Sequence, residues 1–234
     1  MIDGKVAIIT GASHGIGEGL VAAYRDAGFK VVASALSIDH GADPNVLNVA
    51  GDIGDPKTAD LIISEGVDRF GRLDTLINNA GAYISKPFTQ YTPADCDSML
   101  STNLAGFFHI TQRALRVMEA QGWGHIVNIT ATVAEQPVKG VPAALASLTK
   151  GGLNSVTKAL AIEYASCGIR VNAVSPSIIR THPGESYAGL EAQVPLGRIG
   201  EIEDVVSAVM YLEDARYVTG EISHVDGGQS AGHW

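Results

Sequence analysis

Short runs of apolar, largely β-branched residues alternate along this chain with longer stretches of helical period. The first run, Val6 to Thr10, is apolar almost throughout, which is typical of a strand buried on both faces. The stretch Gly15 to Ala27 follows it with the spacing of an amphipathic helix. A series of such units folds through right-handed crossovers into a parallel sheet covered by helices on both faces. The pattern therefore predicts a doubly wound α/β fold.

The later elements continue this alternation. Further strands are predicted at Lys30 to Ala33, Val46 to Val49, Asp74 to Asn78, His125 to Thr130, Ile169 to Val174 and Glu221 to Val225, and further helices over Pro56 to Phe70, Pro93 to Gln121, Pro142 to Cys167 and Glu201 to Leu212. The turn-rich segment Asp39 to Asn45 leaves little room for a helix between the second and third strands. No linker, repeat or charge block divides the sequence, so residues 1–234 are predicted to form one domain.

Composition and charge narrow the class of protein. The chain is 46% hydrophobic and 18% charged, which suits a buried core. Its net charge of −9 disfavours nucleic acid and anionic membranes as partners. Two cysteines are too few for a disulfide framework, and no cluster of metal ligands is apparent. Because a folding strand starts at Lys5 and no apolar run approaches the ~20 residues of a spanning helix, we expect a cytoplasmic protein.

Chemistry-bearing motifs follow four of the predicted strands. The turn Thr10 to Gly17 (TGASHGIG) joins the first strand to the first helix, where glycines let the backbone approach a pyrophosphate at the helix N-terminus. Gly51-Asp52-Ile53 follows the third strand and offers a carboxylate to an adenine amino group. Asn78 to Gly81 and Pro176 to Thr181 follow the fourth and sixth strands, at the edge where open α/β sheets bind ligands. Together these motifs predict a dinucleotide site.

The motifs TGASHGIG, GDI, NNAG, Ser101-Thr102-Asn103, VNAVSP and VTGEISHVDGG resemble, in order, the signatures of the short-chain dehydrogenase/reductase family. The resemblance covers essentially the whole chain and implies a Rossmann-type fold that binds NAD or NADP. It implies these contacts: Gly11, Ser13, Gly15, Ile16 and Gly17 at the pyrophosphate, Asp52 and Ile53 at the adenine, Asn79, Ala80 and Gly81 at the adenosine ribose, Lys150 at the nicotinamide ribose, and Pro176, Ile179 and Thr181 at the nicotinamide end.

The choice between NAD and NADP depends on the end of the second strand. An NAD site of this fold usually has a carboxylate there, whereas an NADP site has Arg or Lys there or in the glycine turn. This chain has Ser37 and His14 at those positions. Ser37 suits either cofactor, His14 suits a 2′-phosphate, and Asp39 bending back suits a free ribose. NAD or NADP is expected, with a slight preference for NAD.

The catalytic positions implied by the resemblance are only partly kept. The family usually carries Tyr-x-x-x-Lys on one helix, with the tyrosine as general acid/base and the lysine on the same face. Here the lysine is Lys150, but Ala146 stands four residues before it. Asn103 matches the family's asparagine, which anchors a proton-relay water.

The serine that orients the carbonyl in this family is also replaced. Its position falls on Ala131, with Thr130 and Thr132 on either side. The segment from there to Lys150 is longer than usual, so the pairing near Thr132 stays open. We therefore take Lys150, Asn103 and Thr132 as the catalytic candidates.

Three functions remain open at this point. The first is an NAD(P)-dependent oxidoreductase for a small alcohol or ketone, with the tyrosine replaced by water held near Lys150 and Asn103 or by Tyr83, His182 or Tyr187. The second is a non-catalytic dinucleotide-binding protein, acting as a sensor or partner subunit. The third is a different reaction in which Lys150 or a loop residue acts as base.

Two further expectations concern the substrate and the assembly. The segment after Thr181 forms the substrate lid in this family and is short here, which predicts an open pocket for a small or neutral substrate. The helical stretches 93–121 and 142–167 carry more apolar residues than a sheet-facing stripe needs. In related proteins these helices pair across a two-fold axis, so a homodimer or homotetramer is expected.

Overall fold

The computed structural model describes residues 4–39, 41–181, 184 and 186–232. The strands are β1 (Val6–Thr10), β2 (Lys30–Ala35), β3 (Val46–Ala50), β4 (Thr75–Asn78), β5 (Gly124–Ile129), β6 (Ile169–Pro176), β7 (Ile179–Arg180), β8 (Gly200–Glu201) and β9 (Ile222–Val225). The α-helices are α1 (Gly15–Asp26), α2 (Pro56–Phe70), α3 (Pro93–Leu100), α4 (Gly106–Gln121), α5 (Ala144–Glu163) and α6 (Ile202–Asp214).

Seven of the strands form one parallel sheet in the order β3-β2-β1-β4-β5-β6-β9. The strand order reverses between β1 and β4, and this switch point is where open α/β sheets form their ligand crevice. The doubly wound α/β fold predicted from the sequence is confirmed.

Alternate residues of the central strands supply two hydrophobic layers. Ile8 and Leu76 point into the layer that also contains residues of α2 and α4, whereas Ile9 and Ile77 point into the layer shared with α1 and α6. Strands covered on both faces are apolar at nearly every position, which explains the almost unbroken apolar run of β1.

The long helical pattern from residue 93 to residue 121 is interrupted. Helix α3 ends at Leu100, a π-helical turn spans Ser101–Ala105, and α4 continues from Gly106. Such a bulge rotates the following side chains and is frequent at functional sites. It places Asn103 in a buried position facing the loop after β4.

Other boundaries differ less from the predicted ones. Helix α5 starts at Ala144 and ends at Glu163, and a short 3₁₀ turn then leads to Gly168 with φ +72°. The described residues between β2 and β3 form no helix, as the turn-rich sequence predicted. The two-residue strands β7 and β8 form a small separate sheet that the sequence pattern did not reveal.

A buried polar network lies at the opposite edge of the sheet from the carboxyl ends of the strands. Glu213, at the end of α6, accepts hydrogen bonds from Thr75 (2.8 Å) and Tyr24 (3.2 Å) and lies 3.0 Å from Nδ1 of His125. Lys5 lies 3.6 Å from its other oxygen. This network joins β1, β4, β5, α1 and α6.

No helix in the described part of the chain is long and apolar enough to cross a membrane.

Candidate dinucleotide and active site

The glycine turn between β1 and α1 brings two backbone segments into contact. Gly11 and Gly15 have φ values of +64° and +59°, which favour glycine. A Cβ on Gly11 would lie 2.8 Å from Cα of Ala80, and one on Gly17 would lie 2.7 Å from Nδ2 of Asn79. These positions therefore exclude larger side chains, because the turn packs directly against the loop after β4.

Hydrogen bonds fix that contact. The Thr10 hydroxyl accepts from the backbone N–H groups of Asn79 (3.1 Å) and Ala80 (3.0 Å). The Asn79 side chain donates in return to the carbonyl oxygens of Thr10 (2.9 Å) and Gly11 (3.0 Å). The ends of β1 and β4 are thus held together at the switch point of the sheet.

A cleft of about 450 Å³ opens at this point. It contains twelve of the predicted binding residues: Gly11, Ser13, His14, Gly15, Ile16, Ser37, Asp52, Ile53, Asn79, Ala80, Gly81 and Thr181. Its other lining residues, which were not among the predicted binding residues, are Thr10, Ser34, Ala35, Leu36, Gly51 and Thr102. Most of these end β1 or β2 or follow β3, so strand register would have found them.

Four predicted binding residues lie outside the lining of this cleft. Gly17 packs on the turn, and Pro176 is buried at the end of β6. Ile179 lies in the apolar layer shared with α1 and α6. Lys150 lies behind Gly81, since a Cβ on Gly81 would come within 3.0 Å of its Nζ atom.

The residues present fit a dinucleotide. Helix α1 begins at the cleft, and its N-cap residue His14 makes no capping bond with its side chain. The first-turn N–H groups and the helix dipole then favour a phosphate at this end. The cleft volume also falls within the usual range for cofactor sites, about 300–1,000 Å³.

The adenine end combines a fixed carboxylate with an apolar floor. The Asp52 carboxylate accepts from the backbone N–H of Gly54 (2.9 Å). Ile53 packs on α4, where a Cβ on Gly106 would lie 2.8 Å from its Cγ2. The exposed Leu36 provides further apolar surface at the rim.

The residues expected to choose between NAD and NADP lie around an adjoining depression. His14, Ser37 and Asp39 all line it. Asn48 donates to the backbone carbonyl of Asp39 (2.5 Å), which holds the loop after β2 over this depression. Both a hydroxyl and a carboxylate are therefore within the region where a 2′-substituent would lie.

Lys150 is a partly buried cation beside the cleft. Its ammonium donates to the carbonyl oxygen of Ile129 at 2.8 Å. Burial lowers the pKa of Lys150 to about 8, because removal from water disfavours the charged form. The lysine can therefore donate hydrogen bonds at neutral pH and lose a proton slightly above it.

Asn103 is tied to backbone. Its Oδ1 accepts from the N–H of Ala82 (2.7 Å), and its Nδ2 donates to the Ala82 carbonyl (2.9 Å) and the Thr149 hydroxyl (3.0 Å). The side chain fixes the loop after β4 against α5. It lies near Lys150, since the same Cβ position on Gly81 would be 3.5 Å from its Oδ1.

The two threonines beside Ala131 are turned toward β6. The Thr132 hydroxyl donates to the carbonyl of Ser175 (3.3 Å), and the Thr130 hydroxyl donates to that of Val174 (3.3 Å). Both side chains are buried. In this arrangement they fasten the end of β5 to β6.

Ala146 is enclosed by apolar side chains. It is 1% exposed and belongs to a cluster with Met99, Ala143 and Leu145. The partly buried residues Ala82, Ile84, Tyr91, Cys96, Val133 and Val141 pack around this cluster. Ala146 has almost no solvent-accessible surface, so its packing does not favour water, one of the alternatives for the proton donor, at this methyl group.

The loop residues considered as substitutes lie in different surroundings. The phenol oxygen of Tyr187 accepts from the N–H of the cleft residue Thr181 (3.2 Å), and the Arg180 guanidinium lies 5.1 Å from its ring centre. Tyr83 is more than half exposed, and partial burial raises its pKa. His182 lies outside the described residues.

The fold and the cleft define a dinucleotide-binding α/β protein. A family model described as enoyl-(acyl carrier protein) reductase matches residues 11–230. The chain is also 33% identical to the 3-oxoacyl-[acyl-carrier-protein] reductase FabG of Vibrio cholerae, over 97% of this chain and 98% of that protein. It therefore belongs to the short-chain dehydrogenase/reductase family, whose members bind NAD(P).

Other relatives agree with this assignment. An uncharacterized oxidoreductase of Methylorubrum extorquens is 36% identical, over 97% of this chain and 98% of its own. The 3-ketoacyl-(acyl-carrier-protein) reductase of Brucella melitensis, solved in complex with NADH, has a TM-score of 0.91 and 30% identity, covering 98% of this chain and 100% of the other. A tyrosine-to-phenylalanine variant of ElxO with NADPH bound has a TM-score of 0.90 and 28% identity, covering 97% and 99%.

Proposed function

We propose that this protein is an NAD(P)-dependent oxidoreductase that interconverts a small alcohol and ketone with a proton donor other than the family's tyrosine. The observation that carries the proposal is the position of Lys150, whose ammonium adjoins Gly81 in the wall of the dinucleotide cleft. Relatives whose names state reduction of a 3-oxoacyl or 3-ketoacyl group support carbonyl reduction as the chemistry.

In this mechanism the chain mainly binds and orients. The glycine turn and the first turn of α1 hold the pyrophosphate, while Asp52 and Ile53 bracket the adenine. Lys150 would hold the nicotinamide ribose, and Ile179 and Thr181 would face the carboxamide. The bound cofactor supplies or accepts hydride. Asn103 holds the loop that contains Gly81 in place, and Thr132 keeps the end of β5 on β6.

Both forms of the cofactor suit the adenosine end, and we favour NAD. The carboxylate of Asp39 lies on the same depression as Ser37 and His14, so it opposes the doubly charged 2′-phosphate of NADP. Fluorescence titration with NADH and NADPH tests this preference. Asp39→Asn should raise the affinity for NADPH relative to NADH. An unchanged ratio of the two affinities would show that Asp39 does not set the preference.

A second function, dinucleotide binding without turnover, is favoured by one observation. Ala146 is closed off by apolar side chains. A sensor would need the cleft but no route for a proton. The ElxO variant has one tyrosine replaced by phenylalanine and still binds NADPH. It supports dinucleotide binding by a protein of this fold that lacks a tyrosine.

The two functions are separated by turnover. The purified protein is titrated with NADH and NADPH and then assayed with a panel of small ketones, aldehydes and alcohols by absorbance at the nicotinamide band. Dinucleotide binding together with substrate-dependent oxidation or reduction is expected. Tight binding with no change in the oxidation state of the cofactor across the panel would favour the sensor.

We further propose that the protein assembles as a homodimer or homotetramer through α4 and α5. A groove between these helices is lined by Phe107, Phe108, Leu115, Val156, Leu160 and Tyr164. Phe108, Leu148 and Ile162 are exposed large apolar side chains on the same two helices. A neighbouring copy would cover this apolar surface.

A further inference from the structure

We propose that Lys150 itself delivers the proton to the substrate oxygen, so that one side chain both holds the nicotinamide ribose and acts as the general acid. This inference rests on the proposed oxidoreductase function. It gives Lys150 a second role, because a lysine in this family ordinarily acts on the substrate through its tyrosine.

The first step of the argument is that the place of the tyrosine is closed. Ala146 is 1% exposed, and the neighbouring Thr149 hydroxyl is bonded to Asn103 and to the carbonyl oxygen of Leu145 (3.0 Å). Neither group is available to a substrate. The proton must therefore come from a polar group that reaches the cleft from another direction.

Lys150 is the candidate, because its ammonium lies directly behind the cleft residue Gly81. Glycine at position 81 leaves the space that the Lys150 ammonium occupies, since any side chain there would come within 3.0 Å of Nζ. An ammonium has three N–H donors, and among the described residues only the carbonyl of Ile129 accepts from this one. Two donors remain, enough for one ribose hydroxyl and one substrate oxygen.

The surroundings of Lys150 also suit proton donation. Its lowered pKa, about 8, has burial as its cause, and no charged group of the described chain contributes to it. One turn further along α5, Asn154 donates to the Glu135 carboxylate (2.8 Å). The other oxygen of that carboxylate lies 2.7 Å from Nε2 of His224. Glu135 and His224 stabilise one another and do not pair with Lys150. A general acid works best when its pKa is near the working pH.

The chemical step balances without a further reactant. In reduction, Lys150 donates an ammonium proton to the carbonyl oxygen while the carbonyl carbon receives hydride from reduced nicotinamide dinucleotide. On the substrate a C–H bond and an O–H bond form, and the electron pair of the carbonyl π bond becomes the O–H bond. The N–H bond of Lys150 and the C–H bond of the hydride donor break, which leaves a neutral amine and oxidised dinucleotide. The neutral amine then regains a proton from solvent. Oxidation of the alcohol reverses these transfers.

Lys150→Arg tests the proposal, with Lys158→Arg on the exposed face of α5 as its matched control. Arginine keeps the charge and can bond the ribose, but it cannot release a proton at these pH values. We expect the dissociation constant for NADH to change less than about tenfold while kcat falls by about 10²–10⁴. In the unaltered enzyme, kcat for reduction should decline as pH rises through about 8, and this limb should be absent in Lys150→Arg.

Three results would overturn the proposal. If Lys150→Arg keeps its kcat, or keeps the pH limb near 8, the acid lies elsewhere and the oxidoreductase function stands. If Tyr187→Phe abolishes turnover with Lys150→Arg little affected, the phenol beside Thr181 is the acid. If the unaltered protein binds NADH but turns over nothing in the carbonyl panel, both the proposed function and this inference fail.

Discussion

Single glycines decide how closely the glycine turn approaches the loop after β4. Gly17 lies in the first turn of α1, and a methyl group there would meet the carbonyl of Gly11 and the amide of Asn79. Both of those groups belong to the hydrogen-bonded contact that forms the cleft. A single added carbon therefore tests the site without touching the rest of the sheet.

We expect Gly17→Ala to weaken NADH binding at least tenfold and to lower the free energy of unfolding by about 1–3 kcal/mol, the usual cost of overpacking. Fluorescence titration and urea unfolding measure the two effects. Gly151→Ala is the control, because a Cβ at that helical position would find its nearest neighbour at 3.9 Å. Unchanged NADH binding in Gly17→Ala would place the dinucleotide away from this turn.

The apolar side chains around Ala146 determine the cost of placing a larger residue there. A tyrosine restored at this position would have to displace the apolar side chains around it. We expect Ala146→Tyr to lower the free energy of unfolding by about 1–3 kcal/mol. The matched change Ala22→Tyr, at an exposed position of α1, should stay within about 0.5 kcal/mol. A neutral effect of Ala146→Tyr in urea unfolding would mean that the cluster opens readily.

At the scale of elements, α4 and α5 contribute to both the site and the proposed assembly. The π-helical turn before α4 places Asn103 under the loop after β4, and α5 carries Lys150 on the face toward β5. The other faces of these helices expose Phe108 and Ile162, which are 53% and 81% exposed. An interface there would add support directly behind the candidate catalytic side chains.

The double substitution Phe108→Glu with Ile162→Glu should therefore convert the oligomer to a monomer, because paired carboxylates would be desolvated at the two-fold contact. Size-exclusion chromatography with light scattering measures the mass. The pair Glu65→Gln and Glu203→Gln, on exposed surfaces of α2 and α6, should leave the mass unchanged. A monomeric unaltered protein would contradict the assembly proposal outright.

At the scale of the whole molecule, the buried network around Glu213 joins elements that are distant in sequence. Burial would raise the pKa of Glu213, but the hydrogen bonds from His125 and Thr75 and the charge of Lys5 outweigh it and lower that pKa from 4.5 to about 2. Burial lowers the pKa of His125 against the opposing effect of the Glu213 carboxylate, which favours the neutral imidazole in the folded protein. Because both pKa values are lowered on folding, both shifts make the free energy of unfolding decrease as pH falls.

The stabilisation from Glu213 is complete above its unfolded pKa near 4.5 and is lost as pH falls toward 2. That from His125 is complete above its unfolded pKa near 6.5 and is lost as pH falls below that value. We therefore expect the free energy of unfolding to decline from about pH 6.5 downward in urea titrations. Glu213→Ala leaves the buried Thr75 and Tyr24 hydroxyls without their acceptor and should cost about 1–3 kcal/mol at pH 7.5.

The control for this prediction is Glu203→Ala, an exposed residue of the same helix, which should have little effect on stability or on its pH dependence. An acid decline in Glu213→Ala as steep as in the unaltered protein would show that other groups cause it.

The sequence by itself determined the sheet, the order of its elements and most of the dinucleotide cleft. These features follow from local patterns, because burial on both faces requires apolar runs in the strands and close contacts exclude side chains at Gly11 and Gly17. The pattern could not give the π-helical break at Ser101–Ala105, since residues on either side keep a helical period.

Only the tertiary structure decided what surrounds the catalytic positions. The substitution of Ala146 was visible in the sequence, but the apolar side chains that close over it come from α3 and from the loops after β4 and β5. Lys150 also depends on tertiary contacts, because its pKa is set by burial behind Gly81. Asn103 depends on them too, because its hydrogen-bond partners are Ala82 and Thr149. Contacts between segments far apart in the chain set the solvation of each group, and solvation sets what chemistry it can do.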